Sequence, residues 1–103
     1  MNSTTLPIPL PYESIAEFCQ KNSIRKLSLF GSILREDFHE NSDIDMLVEF
    51  KPNHTFGYFE LVKMELELTT IIGRKVDLRT AGEISRYFRQ QVIDSAQPVY
   101  VFG

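Results

Sequence analysis

The apolar patterning of this chain predicts an α/β (α+β) domain, a small mixed β-sheet flanked by helices. Three observations carry that expectation. Asp43–Phe50 is the clearest strand, with Ile44, Met46, Val48 and Phe50 on one side and Asp43, Asp45, Leu47 and Glu49 on the other. Gly57–Ile72 has the apolar face of a long helix and is closed by Gly73. Lys75–Arg79 then reads as a further short strand, so a strand–helix–strand crossover permits a parallel pair.

The elements follow in chain order. Residues 1–11 form a lead-in, where Pro7, Pro9 and Pro11 alternate with Leu6, Ile8 and Leu10. Proline at that density favours an extended chain. The domain proper is expected over 12–103. Tyr12, Ile15, Ala16, Phe18 and Cys19 fall at helical spacing, with Asn22 as the stop. Arg25–Phe30 reads as a strand running into Gly31-Ser32, and Ile33–Phe38 as a short helical turn. The strand Asp43–Phe50 is broken by Lys51-Pro52-Asn53-His54. In the following helix Tyr58, Leu61, Val62, Leu66, Leu68 and Ile72 form the apolar face. Thr80-Ala81-Gly82-Glu83 has capping-box spacing and predicts the start of a helix whose stripe is Ile84, Tyr87, Phe88, Gln91, Val92 and Ser95. Pro98 stops it, and Val99–Phe102 reads as a last strand.

Composition narrows the function classes. In 103 residues, 43 % are hydrophobic, including eight Phe and four Tyr, which suffices for one modest core and excludes disorder over most of the chain. The lone Cys19 excludes an internal disulfide and, on the apolar helix face, is expected in the core. A net charge of −3 disfavours a broad electrostatic grip on nucleic acid. No apolar stretch is long enough for a membrane span, and MNSTTLPIPLPYE lacks the basic start of a signal peptide, so a cytoplasmic location is expected.

The chemistry is concentrated between Gly31 and Phe50. Asp43 and Asp45 stand two apart on a strand, so both carboxylates leave one face. Such a pair repels itself unless a cation holds it, and Mg²⁺ takes oxygen ligands together with substrate phosphates. A solvated strand start would explain an isolated Asp-x-Asp equally well. Gly31-Ser32 shifts the balance: glycine allows close backbone approach, and the amides beyond it with the Ser32 hydroxyl can receive phosphate oxygens. Asp77 would complete a three-carboxylate cluster if its strand neighbours that of Asp45; otherwise it is an exposed acid balanced by Lys75 and Arg79. Arg74, Lys75, Arg79, Arg86 and Arg89 are expected mostly on a solvated surface, His39 and His54 in polar loops, and Tyr87, Phe88 and Tyr100 in the core.

Gly31-Ser32, ten intervening residues and Asp43-x-Asp45 together resemble the minimal nucleotidyltransferase group of the DNA polymerase β-like nucleotidyltransferase superfamily. Arg35, Ser42, the stretch from Gly73 to Leu78 and the closing Pro98-Val99-Tyr100 extend the resemblance over about residues 12–101. Glu36 departs from the pattern by placing a negative charge where many relatives carry a small residue. The resemblance implies a nucleotidyltransferase fold and transfer of AMP from ATP with release of pyrophosphate. It implies Asp43, Asp45 and Asp77 as Mg²⁺ ligands, with Asp77 near the acceptor hydroxyl, and Gly31, Ser32 and Arg35 as nucleotide-binding residues. Arg35 would neutralise phosphate charge or brace the loop through Asp37 or Asp43. Small members of this group are commonly antitoxins paired with a HEPN-domain RNase toxin. They neutralise it by adenylylating a toxin tyrosine, by direct binding, or by both. A hetero-oligomer with such a toxin is therefore expected, with a non-catalytic binding antitoxin and transfer to a small molecule such as an aminoglycoside as the alternatives.

Overall fold

A computed structural model describes residues 8–34, 41–52 and 57–102, and of Ser32 the backbone alone. The element order is α1 (Tyr12–Lys21), β1 (Ile24–Phe30), a 3₁₀ turn (Gly31–Leu34), β2 (Ile44–Phe50), α2 (Tyr58–Ile72), β3 (Val76–Thr80), a second 3₁₀ turn (Ala81–Glu83), α3 (Arg86–Ser95) and β4 (Gln97–Val101). The four strands form one mixed sheet in the order β3-β2-β1-β4. β1 pairs antiparallel with β2 and β4, whereas β2 and β3 are parallel across the α2 crossover.

Period-2 alternation sorts each strand's side chains between two faces. Leu27 and Leu29 of β1, Ile44, Met46 and Val48 of β2, and Val76 and Leu78 of β3 all join one buried cluster. α1 covers that face with Ile15, Phe18 and Cys19, and α2 with Leu61, Met64 and Leu68. Burying each such side chain is worth about 1.5–3 kcal/mol. Ile8 and Leu10 of the lead-in also pack against this cluster.

α2 also protects an edge. The outward amides of Val76 and Leu78 on β3 donate to Thr69 Oγ1 at 3.0 Å and to Glu65 Oε2 at 2.7 Å. Those bonds satisfy a strand edge that would otherwise be open to pairing. Gly73 ends α2 at φ 83°, the left-handed geometry that glycine adopts without a Cβ penalty.

Several expectations are corrected. Tyr58 and Leu66 are exposed, and Met64 takes the buried place on α2 instead. Tyr12 stands at the exposed start of α1. The Thr80–Glu83 capping box forms, with the Thr80 amide donating to Glu83 Oε1 at 2.9 Å. It opens only the single turn Ala81–Glu83, because Ile84 is extended and Ser85 caps α3 separately. Tyr87 and Phe88 are exposed rather than core, and α3 contributes no buried residue; Tyr100 alone of the three packs against the core. The described part of the Ile33–Phe38 turn is 3₁₀, and residues 35–38 lie outside the described residues.

Candidate active site

The second face of the sheet carries the polar row. In register, Phe30 of β1 lies beside Asp45 of β2, and Asp45 beside Asp77 of β3. Neighbouring strands are about 4.8 Å apart, so the two carboxylates leave one surface from adjacent positions. The next row is Ser28, Leu47 and Arg79. Ser28 and Leu47 are both buried at 2 %, a firm neighbour to the acids on the same face.

Gly31 follows Phe30 directly and has φ 81°. A Cβ built there would overlap Asp45 Oδ2 and come within 3.1 Å of Asp45 Cγ. Both the left-handed backbone and the space therefore require glycine at this position. The close approach sets the turn after β1 against the Asp45 carboxylate, which is the juxtaposition a phosphate cradle beside an acidic pair demands. Asp43 precedes β2 and lies 3.8 Å from Lys75 Nζ, on an exposed surface. Asp77 accepts two hydrogen bonds from Arg79, Nε to Oδ1 and Nη2 to Oδ2, each 3.1 Å. That hydrogen bonding and the Asp77 charge raise the Arg79 pKa, with Glu83 and Asp45 adding to the effect and burial opposing it.

Sequence reasoning missed one brace. Arg74, expected on the solvated surface, is half-buried and donates through Nη2 to the Ser42 carbonyl at 3.2 Å. The Ile44 amide donates to the Lys75 carbonyl at 2.9 Å. The segment leading into β3 thus fixes the segment that presents Asp43. The Gly73-Arg74-Lys75 run adjoining Asp77 was the available signal, but a contact reaching 32 residues back cannot be read from spacing.

Gly31, Asp43, Asp45 and Asp77 accordingly stand at one end of three neighbouring strands. Of Ser32 only the backbone is described, and Arg35, Glu36, Asp37, His39 and His54 lie outside the described residues. The donor chemistry fits a hard cation such as Mg²⁺, since only carboxylate oxygens are offered. Among the described residues no three ligating groups converge on one point, and Arg79 occupies the Asp77 oxygens. Arg79 takes one lone pair on each Asp77 oxygen, and each oxygen keeps a second for a cation.

Two hollows flank the acid row. One, of about 220 Å³, includes Asp77, Arg79, Glu83 and Tyr58. The other, of about 660 Å³, lies between Gly31 and Asp45 on one side and α3 on the other.

The sequence profile of the family described as Polymerase beta, Nucleotidyltransferase matches residues 13–101. A candidate protein adenylyltransferase of Methanocaldococcus jannaschii is 33 % identical over 79 residues, which are 77 % of this chain and 83 % of that one. A toxin–antitoxin pair crystallised with AMP-PNP contains a chain that superposes with TM-score 0.72 at 24 % identity, over 90 % of this chain and 75 % of that one. A tri-AMPylated Shewanella oneidensis HEPN toxin in complex with an MNT antitoxin gives TM-score 0.63 at 22 % identity, covering 88 % and 70 % of the two chains. At those identities the two structures speak for a shared fold.

Proposed function

This chain belongs to the polymerase beta nucleotidyltransferase family, and from that premise we propose that it is an antitoxin acting as a Mg²⁺-dependent protein adenylyltransferase. Its reaction would move AMP from ATP to a tyrosine of a cognate HEPN RNase toxin. The observation that carries the reading is the row in which Gly31 abuts Asp45 and Asp45 pairs in register with Asp77. The substrate class is supported by the adenylyltransferase name of the M. jannaschii relative and by the AMP-PNP and AMPylated toxin of the two fold neighbours.

The roles follow from placement. The backbone amides after Gly31, with Ser32 and Arg35, would receive the triphosphate. Asp43 and Asp45, joined by Asp77, would hold Mg²⁺, which when bound supplies positive charge against the triphosphate. Asp77 would accept the proton of the incoming tyrosine hydroxyl. The oxygen–phosphorus bond then forms as the bond between the α-phosphorus and the bridging oxygen breaks, and pyrophosphate leaves. Arg79, paired with Asp77, stands near enough to steady phosphate charge. This is catalysis by positioning and electrostatics, with little covalent work for the protein.

A second reading, neutralisation by binding alone, draws on the exposed aromatics Tyr58, Phe59, Tyr87 and Phe88. Large exposed apolar side chains that form a contiguous patch commonly mark a protein interface. The test uses α-labelled ATP and Mg²⁺ in a lysate of the native host. A protein band labelled by the wild type and absent with Asp43→Asn/Asp45→Asn supports transfer. Full protection of cells by that variant, with no band from the wild type, supports binding alone.

A further inference from the structure

We propose that Arg74 is a positioning residue for Asp43, acting through the Ser42 carbonyl to set how tightly the acid row takes a divalent cation. The inference rests on the nucleotidyltransferase reading and deepens it by naming what holds the one acid that the sheet does not.

Asp45 and Asp77 are placed by the sheet. Each sits inside a strand, and the parallel register of β2 and β3 sets one beside the other. Asp43 has no such support, because it precedes Ile44, the first residue of β2. The chain is instead pinned on either side of it. On one side the Ser42 carbonyl accepts a hydrogen bond from Arg74 Nη2 at 3.2 Å. On the other the Ile44 amide donates to the Lys75 carbonyl at 2.9 Å. Two consecutive residues therefore hold both neighbours of Asp43. The Ile44 bond runs between main chains and survives a change of side chain at 75. The Ser42 bond depends on the guanidinium of Arg74.

Arg74 can help a metal only indirectly. A guanidinium offers five donors and no acceptor, so it cannot ligate a cation. Its positive charge, held against the residue before Asp43, opposes a second cation there. Any benefit must come from fixing the direction in which Asp43 leaves the chain. Lys75 supplies the contrast. Its ammonium lies 3.8 Å from Asp43 Oδ2 and is largely exposed, so its side chain bears on the same carboxylate by charge alone. Removing the two cationic side chains should therefore act with opposite sign.

The experiment titrates the full chain with Mn²⁺ alone, read by the paramagnetic resonance of free Mn²⁺, on folded samples without nucleotide. Arg74→Met keeps an apolar stem and loses the donors. It should weaken Mn²⁺ roughly 10- to 100-fold, the scale for losing a group that orients a metal ligand. Arg74→Lys, which keeps the charge and a donor, should fall between that variant and wild type. Lys75→Met should leave Mn²⁺ binding unchanged or tighter. With ATP and toxin, Arg74→Met should need more Mg²⁺ for half-maximal labelling and regain much of its rate at saturating Mg²⁺. Mn²⁺ affinity in Arg74→Met that equals or exceeds wild type overturns the proposal. So does an equal weakening in Arg74→Met and Lys75→Met. A wild-type chain that binds no Mn²⁺ overturns it together with the metal-dependent reading. The expected Mn²⁺ pattern in a chain that labels no protein supports the role of Arg74 and removes the adenylyltransferase reading alone.

Discussion

The two faces of the sheet come from the same strands and behave as different materials. Towards α1 and α2, the residues Leu27, Leu29, Ile44, Met46, Val48, Val76 and Leu78 are exposed by 3 % or less. Towards α3, the strands bury Ser28 and Leu47 but present Phe30, Asp45, Asp77 and Arg79 less covered, and no residue of α3 is itself buried. One face is closed and supplies cohesion. The other is open along its acid row and supplies chemistry. Period 2 makes this possible, because a residue and its neighbour in the chain never share a face. The two functions should therefore separate under mutation.

The largest expected effect is on the open face. Asp45→Asn should lower nucleotidyl transfer by on the order of 10²–10³-fold, the scale for losing one preorganised electrostatic group. Its thermal unfolding should stay close to wild type, because no core contact changes. A comparable loss of stability in that variant would break the comparison. Gly31→Ala should follow, with transfer down about 100-fold as the added methyl displaces the Asp45 carboxylate; initial rates on matched, folded samples check it.

The closed face predicts the reverse pattern. Leu68, fully buried, should cost about 2–5 kcal/mol of unfolding free energy on substitution by Ala. Phe88→Ala, equally drastic in volume, should stay within about 0.5 kcal/mol. Urea unfolding of the two side by side sharpens the contrast, and equal losses would mean that α3 is packed after all.

The smallest effect concerns Cys19, whose thiol burial pushes up to about 12 from an ordinary 9.0. The folded state then holds its proton more tightly than the unfolded chain. That contribution is complete below the unfolded pKa and fades as pH rises from about 9 towards 12. Wild type should therefore lose stability over that window relative to Cys19→Ala, and alkylation of Cys19 at neutral pH should require unfolding.

The closed face was the legible one. Asp43–Phe50 alternates because one side meets the core, and Asp43 and Asp45 stand together on the other side of that pattern. Gly31 could be suspected from its place beside Ser32, but its overlap with Asp45 depends on the register of β1 against β2. Asp77 joined the site only through the parallel β2–β3 pairing, which the crossover permitted without requiring. α3 misled for a physical reason. Ile84, Tyr87, Phe88 and Val92 have the spacing of a buried stripe, and spacing cannot distinguish a face closed by protein from one left open to a groove. Arg74 was illegible because a long side chain meets its partner by tertiary reach.

The most direct test of the open face as a transfer site is the intact mass of a partner toxin co-expressed with this chain. Wild type should yield toxin heavier by one or more adenylyl groups, and Asp43→Asn/Asp45→Asn should yield unmodified toxin while the complex still forms. Equal modification with both, or none with either in a complex that still neutralises, would contradict the assignment of the acid row to nucleotidyl transfer.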